Sequence, residues 1–371
     1  MNSSTDSPNK ATTPPLLLGE KALDFPLGDQ LPALGEAISV APGVLWIRMS
    51  LPFALDHINL WLLEDSESPS EGTRHGWTAV DCGVTNDGTQ AAWEQLFIDV
   101  LKNLPILRVV VTHMHPDHMG LAHWLCAKFK APLWMSATEY QSALLGSTGT
   151  SDFGGPSTQR FFADHGWRDP ADQAQVNERI AYYGDMVPSV PRSYHRLFEG
   201  TTLTIGGQSW RCISGWGHSP EHMALFCDAT HTLISGDMVL PKISTNVSVS
   251  AQEPESDSLA LFLASLKKFD SLPEDTLVLP SHGRPFRGLH KRTAQLHEHH
   301  ADRLQEVLAA CSQKPGSAFD MLPVLFKRPL NFHQTTFAMG ESVAHLHTLW
   351  YEGKVDRIKD AQGVWRFCAI A

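Results

Sequence analysis

No two of the six cysteines (Cys82, Cys126, Cys212, Cys227, Cys311 and Cys368) form a C-x-x-C pair, and they are scattered along 371 residues. In a chain of this size such spacing reads as reduced core thiols rather than a disulfide framework. No apolar run reaches the ~18 residues that a membrane span needs, so no membrane partner is expected. The N-terminus, MNSSTDSPNKATTPP, lacks a basic region followed by a long apolar stretch, and Leu16–Leu18 is too short to serve as one. No signal peptide is therefore expected. Basic residues are outnumbered, 29 Lys and Arg against 40 Asp and Glu, for a net charge of −11. That balance argues against a general polyanion binder, whose affinity rests on neutralising phosphates. These absences together predict a soluble cytoplasmic protein, and they leave homo-oligomerisation open.

What is present is enough for a large core: 42% hydrophobic residues and 11 tryptophans. The length suits two domains, or one large domain with an appendage. Residues 1–20, rich in Ser, Thr, Pro and Asn, predict a disordered tail. Strand-like runs follow at Val44–Met49, Ile58–Leu63, Trp77–Val80, Leu107–Thr112 and Pro132–Met135, with helices expected over 91–104 and 118–130. Residues 141–200, rich in Gly, Ser, Pro and aromatics, break that rhythm and read as an insertion able to cap a site. Strands resume at Thr202–Ile205, Ser209–Ser214, His222–Cys227, Thr232–Ser235 and Thr276–Leu279, with a helix over 258–270. From about 289 to 371 come three helical runs and two short strands around a turn, which suggests a small winged-helix-like domain. Ten Lys and Arg against eight Asp and Glu in 290–371 are too balanced for a nucleic-acid surface.

One stretch carries the chemistry. Residues 109–120 read VVVTHMHPDHMG, a β-branched strand followed at once by His113, His115, Asp117 and His118. Four such residues at set positions arise by chance on the order of 0.002 times in a chain of this length and histidine content. Three further loops each follow an apolar strand. Gly215–His222 carries His218, Ser235-Gly236-Asp237 carries an aspartate, and Leu279-Pro280-Ser281-His282-Gly283 carries a histidine. Loops of this kind gather at one end of a sheet. Neutral imidazole and carboxylate suit Zn, Mn or Fe, and the lack of cysteine argues against a purely structural zinc. A bound metal lowers the pKa of water from about 15.7 towards ~7, and a second ion roughly 3.5–4 Å away stabilises developing negative charge. Asp237 suits the bridging position between two such ions.

The order His113-x-His115-x-Asp117-His118, His218, Asp237, His282 resembles the metallo-β-lactamase-fold hydrolases, and more closely their glyoxalase II-like branch. The resemblance covers about residues 40–290. It implies an α/β fold, an αββα sandwich spanning 21–288 with metals at one edge, followed by the 289–371 domain. It also implies two divalent ions, Zn foremost with Mn or Fe as alternatives. His113, His115 and His218 would bind one ion, and Asp117, His118 and His282 the other. Asp81 would orient the site from behind with His222 beside it.

GHSPEHMALF followed by LISGD, with the added C-terminal region, also resembles a subgroup of β-lactamase-like proteins with an appended helical domain, some of which cleave RNA. His299, His300 and Arg303 fall where that subgroup keeps a similar pattern, and structural or rim roles are expected for them. Lys242 and Asn246 read as a solvated loop before they read as substrate contacts.

The function expected is a dinuclear metal-dependent hydrolase whose activated water attacks a small ester, thioester or lactone, with Asp117 or Asp237 positioning or deprotonating that water. Its partner would be a small acyl molecule. The alternatives are a metal-dependent endoribonuclease or phosphodiesterase and a mononuclear iron sulfur dioxygenase. A non-catalytic binding protein is disfavoured, because a dead site has no chemical need for all seven ligand positions.

Overall fold

The longest strands are buried on both faces, so they read as nearly continuous apolar runs rather than as alternating ones. The computed structural model describes residues 22–53, 55–68, 72–150 and 153–370; the expected tail over 1–20 lies outside them. One sheet has seven strands in sequential order: β1 (Ile38–Ala41), β2 (Val44–Ser50), β3 (His57–Glu67), β4 (Arg74–Val80), β5 (Ile106–Val110), β6 (Leu133–Ser136) and β7 (Tyr194–Leu197). The first four pair antiparallel and the rest parallel. The second sheet holds β8 (Thr202–Ile205), β9 (Gln208–Gly215), β10 (His222–Cys227), β11 (Thr232–Gly236), β12 (Leu277–Pro280) and β13 (Phe286–Arg287), also in order. Only β11 and β12 run parallel among these.

Residue alternation assigns the layers. Trp46, Trp61, Leu63, Val80 and Val110 of the first sheet meet Met223, Leu225, Ile234 and Leu279 of the second in a dry middle layer. Their neighbours Ile47, Met49, Leu60 and Leu62 point the other way, onto Trp93, Leu96, Phe97 and Leu125 of outer helices. Ala224, Phe226 and Leu233 likewise turn outward onto Phe262 and Leu266. The result is the expected αββα sandwich.

Local chemistry accounts for the places where elements depart from expectation. The helix expected over 91–104 is Asp87–Asp99, because the Asn86 side chain caps it by accepting from the Thr89 amide. The single helix expected over 118–130 is two, Pro116–Met119 and Ala122–Phe129. Between them Leu121 N donates to Gly83 O, and a Cβ on Gly120 would lie 2.5 Å from that same oxygen. Residues 141–200 contain ordered elements. The helices Ala137–Ser147, Pro156–Asp164, Pro170–Glu178 and Tyr182–Met186 precede edge strand β7. Two of the prolines in this segment open helices, at the first position, where no amide hydrogen bond is lost.

Three helices, Leu289–Gln313, Ala318–Leu325 and Phe332–Tyr351, and a hairpin of β14 (Val355–Lys359) with β15 (Trp365–Ala369) complete the chain. Leu296, Val307, Met339, Val343 and Phe367 join the same apolar cluster as the outer face of the second sheet. His300 is fully buried, with Nδ1 3.4 Å from His345 Nε2, and His345 Nδ1 faces Glu341 O at 2.8 Å. None of the helices in the described residues is long and apolar enough to cross a membrane. All six cysteines are free.

These buried imidazoles make stability depend on pH. Burial lowers His165, which also faces His347 and Arg357 with Asp164 opposing, to about 4. It does the same to His345 beside His299 and Arg303, and it lowers His300 further beside His345, His299 and His297. Burial of the Glu341 carboxyl pushes it up to about 7 against the Asn246 amide. Unfolded imidazoles titrate near 6.5, so from there down towards pH 4 the unfolded chain binds three more protons at these histidines. Glu341 offsets one of them above its unfolded value of about 4.5. Stability is therefore expected to fall on acidification between pH 6.5 and 4.5, by up to about 2.7 kcal/mol per pH unit for the net two protons. Urea midpoints at pH 7 and pH 5 measure this, and His345→Gln should shrink the difference.

Candidate metal centre

Five loops meet at one edge of the sandwich. Each leaves the end of a strand: Asp81 after β4, Thr112–His118 after β5, His218 after β9, Asp237 after β11 and His282 after β12. The sheets are stitched together there by Met223 N donating to Thr112 O at 2.9 Å and by Asn59 N donating to Ser281 O at 2.7 Å. Pro116 opens the helical turn that carries Asp117 and His118. Gly236 has φ 53°, and any side chain there would collide with the His222 ring. The Asp237 amide instead donates to His222 Nε2 at 3.2 Å.

All seven ligand candidates converge. His113 Nε2 lies 2.9 Å from His115 Nδ1 and 3.2 Å from His218 Nε2. Four ligands at 2.0–2.1 Å around a tetrahedral ion stand about 3.3 Å apart, so these three nitrogens are spaced to share one ion. Asp117 Oδ2 lies 3.6 Å from His118 Nε2 and 3.5 Å from His282 Nε2, which makes a second group. Asp237 faces both: Oδ2 is 3.4 Å from His218 Nε2, while Oδ1 is 3.5 Å from His118 Nε2 and 3.6 Å from His282 Nε2.

The residues fit metal ions on their own evidence. His118 Nε2 and Asp237 Oδ1 are buried with no hydrogen-bond partner although they face each other. A buried polar atom without a partner costs about 1–3 kcal/mol, and a cation between them would satisfy both. Burial and the surrounding imidazoles hold His113 and His115 well below their ordinary range, so both are neutral and free to offer lone pairs. Burial also acts on His118, but Asp81, Asp117 and Asp237 outweigh it and lift the ring to about 10. Asp237 stays ionised despite burial, because His282 and His118 sit beside it.

Four of the five ligand-candidate imidazoles are aimed from the far side. His118 Nδ1 lies 2.8 Å from Asp81 Oδ2, and His113 Nδ1 is 3.0 Å from Thr112 Oγ1, which itself donates to Asp81. His218 Nδ1 donates to Asn246 O at 2.7 Å, and His282 Nδ1 to His57 O at 2.8 Å. Such partners fix tautomer and ring orientation. Asp81 adopts φ 63°, a conformation rare outside glycine, and is held there by Thr112 N at 2.8 Å and by the Val110 carbonyl that takes its own amide.

Several functional residues went unnoticed in the sequence. Buried Glu139 accepts from Met114 N at 2.7 Å and from Ser219 Oγ and Glu221 N at 2.6 Å each, so one carboxylate joins the first histidine loop to the His218 loop. Burial raises its pKa and these donors oppose the rise. Tyr183 OH donates to the Met114 carbonyl, so the peptide between His113 and His115 is pinned at both ends. Asn59 donates to Pro280 O and Gly283 O, and His57 Nε2 accepts from Gly283 N; both hold the His282 loop. Asn59 and His57 lie at the start of an apolar strand and Tyr183 inside the expected cap, where nothing in the pattern singles them out.

His299, His300 and Arg303 lie on the helix Leu289–Gln313, away from this centre; Arg303 pairs with Glu306 at 2.6 Å, and none joins a metal-capable group among the described residues. Lys242 is exposed. Asn246 is not a solvated loop residue, since its carbonyl holds His218 and it lines a cavity of ≈ 280 Å³ together with His115 and His218.

Residues 59–282 match the family model described as the metallo-beta-lactamase superfamily, and residues 304–370 match that of the metallo-beta-lactamase-like C-terminal domain. A solved beta-lactamase domain protein from Burkholderia ambifaria is 49% identical, with a TM-score of 0.88 over 95% of this chain and 99% of that one. A probable metallo-hydrolase of Bacillus subtilis strain 168 is 25% identical over 311 residues, 82% of this chain and 92% of its own length. An atrochrysone carboxyl ACP thioesterase of Passalora fulva is 22% identical over 365 residues, 93% of this chain and 87% of its own length.

Replacing Glu139 by Gln keeps the volume but leaves one acceptor oxygen where there were two, so an NH2 faces either Met114 N or the Ser219 and Glu221 donors. Loss of such a supporting partner costs about 10–100-fold in metal affinity. The expected outcome is a folded protein that surrenders metal to a chelator at correspondingly lower concentration, measured by competition titration.

Proposed function

Because the chain belongs to the metallo-beta-lactamase superfamily and is a metal-dependent hydrolase, we propose that it hydrolyses a small ester, thioester or lactone with two divalent ions, zinc foremost. One observation carries the dinuclear reading: the two oxygens of Asp237 face different groups of ligands. His113, His115 and His218 would hold one ion, and Asp117, His118 and His282 the other. The ions supply a water made acidic enough to react at neutral pH, together with positive charge near the carbonyl oxygen.

This chain's residues do the rest. The Asp117 side chain is more open than that of Asp237, at 18% against 10% exposure. It is the carboxylate placed to take the water's proton and pass it to the departing sulfur or oxygen. The water oxygen bonds to the carbonyl carbon as the C–S or C–O bond breaks. Burial of the imidazoles keeps competing water away, and Asp81, Asn246 and His57 keep them aimed.

Two things favour a carbonyl over a phosphodiester. No Lys or Arg stands among the described residues lining the adjoining cavity, and one relative spanning nearly the whole chain carries a thioesterase name. In the same reading the protein works in the cytoplasm, and residues 289–371 form a winged-helix-like unit that closes the substrate cavity rather than gripping RNA.

His113→Ala should lower kcat/KM on any accepted thioester or lactone by at least about 10³, because losing a ligand of the first ion forfeits several kcal/mol of charge stabilisation in the transition state. Elemental analysis of wild type should give about two divalent ions per chain, as a paired site requires. A single iron would overturn the dinuclear reading.

A further inference from the structure

The cavity beside the metal centre is built from three separate parts of the chain. Phe153, Phe161 and Phe162 come from the 141–200 segment, Trp216 and Val249 from loops of the second sheet, and Phe337 from the helix Phe332–Tyr351. His115 and His218 form its inner end. The lining also holds six serines, and several of their hydroxyls are already engaged. Ser248 donates to Asn246 Oδ1 at 2.8 Å, Ser258 to Ser256 Oγ at 3.0 Å, and Ser219 to Glu139.

Its charge is the informative property. Among the described lining residues there is no Lys or Arg, and the one charged side chain is the acid Glu253. Just behind Asn246 lies the carboxyl of Glu341, to which the Asn246 amide donates at 3.1 Å. Arg179 does not line the cavity. Its guanidinium donates to Thr336 Oγ1 at 3.1 Å and lies 4.1 Å from the Tyr182 ring centroid. A phosphate, sulfate or carboxylate lying along the aromatic wall, away from the His115 and His218 end, would lose its water with no lining Lys or Arg to replace it, which costs several kcal/mol.

We propose that this cavity binds the acyl part of the substrate, and that the acyl group is uncharged and apolar. This rests on the reading of the metal centre as an acyl hydrolase and adds which acyl groups it selects. The reacting carbonyl lies at the His115 and His218 end, and the chain or ring extends along Phe161, Phe162 and Phe337. Each methylene moved from water into such a wall contributes about 0.8 kcal/mol, or roughly fourfold in affinity.

The test uses the metal-loaded full chain, the neutral N-acetylcysteamine thioesters of acetate, butyrate, hexanoate and octanoate, and the anionic thioester of succinate. The expected result is a kcat/KM that climbs from butyrate to octanoate by about 10²-fold, following that increment, with the succinyl ester at least tenfold below the butyryl. Phe337→Arg should flatten the climb while metal content holds; Phe337→Leu should retain it. A flat or falling series, or a succinyl ester as good as the butyryl, overturns the proposal but leaves the hydrolase reading standing. If neither these thioesters nor the matching ethyl esters and γ-lactones are cleaved, that reading fails, and the cavity is judged alone by calorimetric binding of 2-butanone and 2-octanone. Tighter 2-octanone binding that Phe337→Arg abolishes supports the apolar cavity, and equal binding overturns it.

Discussion

An imidazole has two nitrogens, and a protein aims one by tying down the other. That constraint governs this structure. Four of the ligand histidines are held from behind, by Thr112, Asp81, the Asn246 carbonyl and the His57 carbonyl. These partners do not come from one place. His282 follows β12 of the second sheet, yet His57 belongs to β3 of the first. The ligand geometry therefore exists only when the two sheets have closed on their shared layer of Trp46, Trp61 and Leu225. Packing energy spread over the whole interior is what fixes a few nitrogen positions at its edge.

The carboxylates answer a second demand. Buried acids are costly unless ionic partners or donors surround them. Asp81 sits against His118 and Thr112, and Glu139 against three donors from two loops. Neither can be drawn aside without stranding its donors, so the loops that carry the histidines behave as one rigid piece. Beyond them the cavity is neutral and aromatic. Charge is concentrated at the metal-capable cluster and nearly absent along the cavity proposed for the acyl group.

Much of this was legible in the sequence, for a physical reason. Strands buried on both faces leave long β-branched runs, and the candidate loops follow them at once, so VVVTHMHPDHMG showed a strand and four ligand candidates together. Other features were hidden because one residue type serves several purposes. Ser136-Ala137-Thr138-Glu139 has the spacing of a capping box, and Ser136 does cap the helix. The Glu139 side chain, however, turns to Met114 and Ser219. Pro156 and Pro170 open helices in a segment whose composition gave an insertion but not its elements. The cavity could not be read at all, because Phe162, Val249 and Phe337 come together only through the tertiary fold.

The helix Phe332–Tyr351 supplies Thr336, Phe337 and Gly340 to the cavity but none of the seven ligand candidates. If the cavity receives the acyl group as proposed, reaction and recognition are written on different stretches of one chain, and substitutions near the C-terminus would change which molecules are admitted without touching what is done to them. A lineage built on this plan can drift among substrates at one end of the gene while the metal chemistry at the other stays fixed.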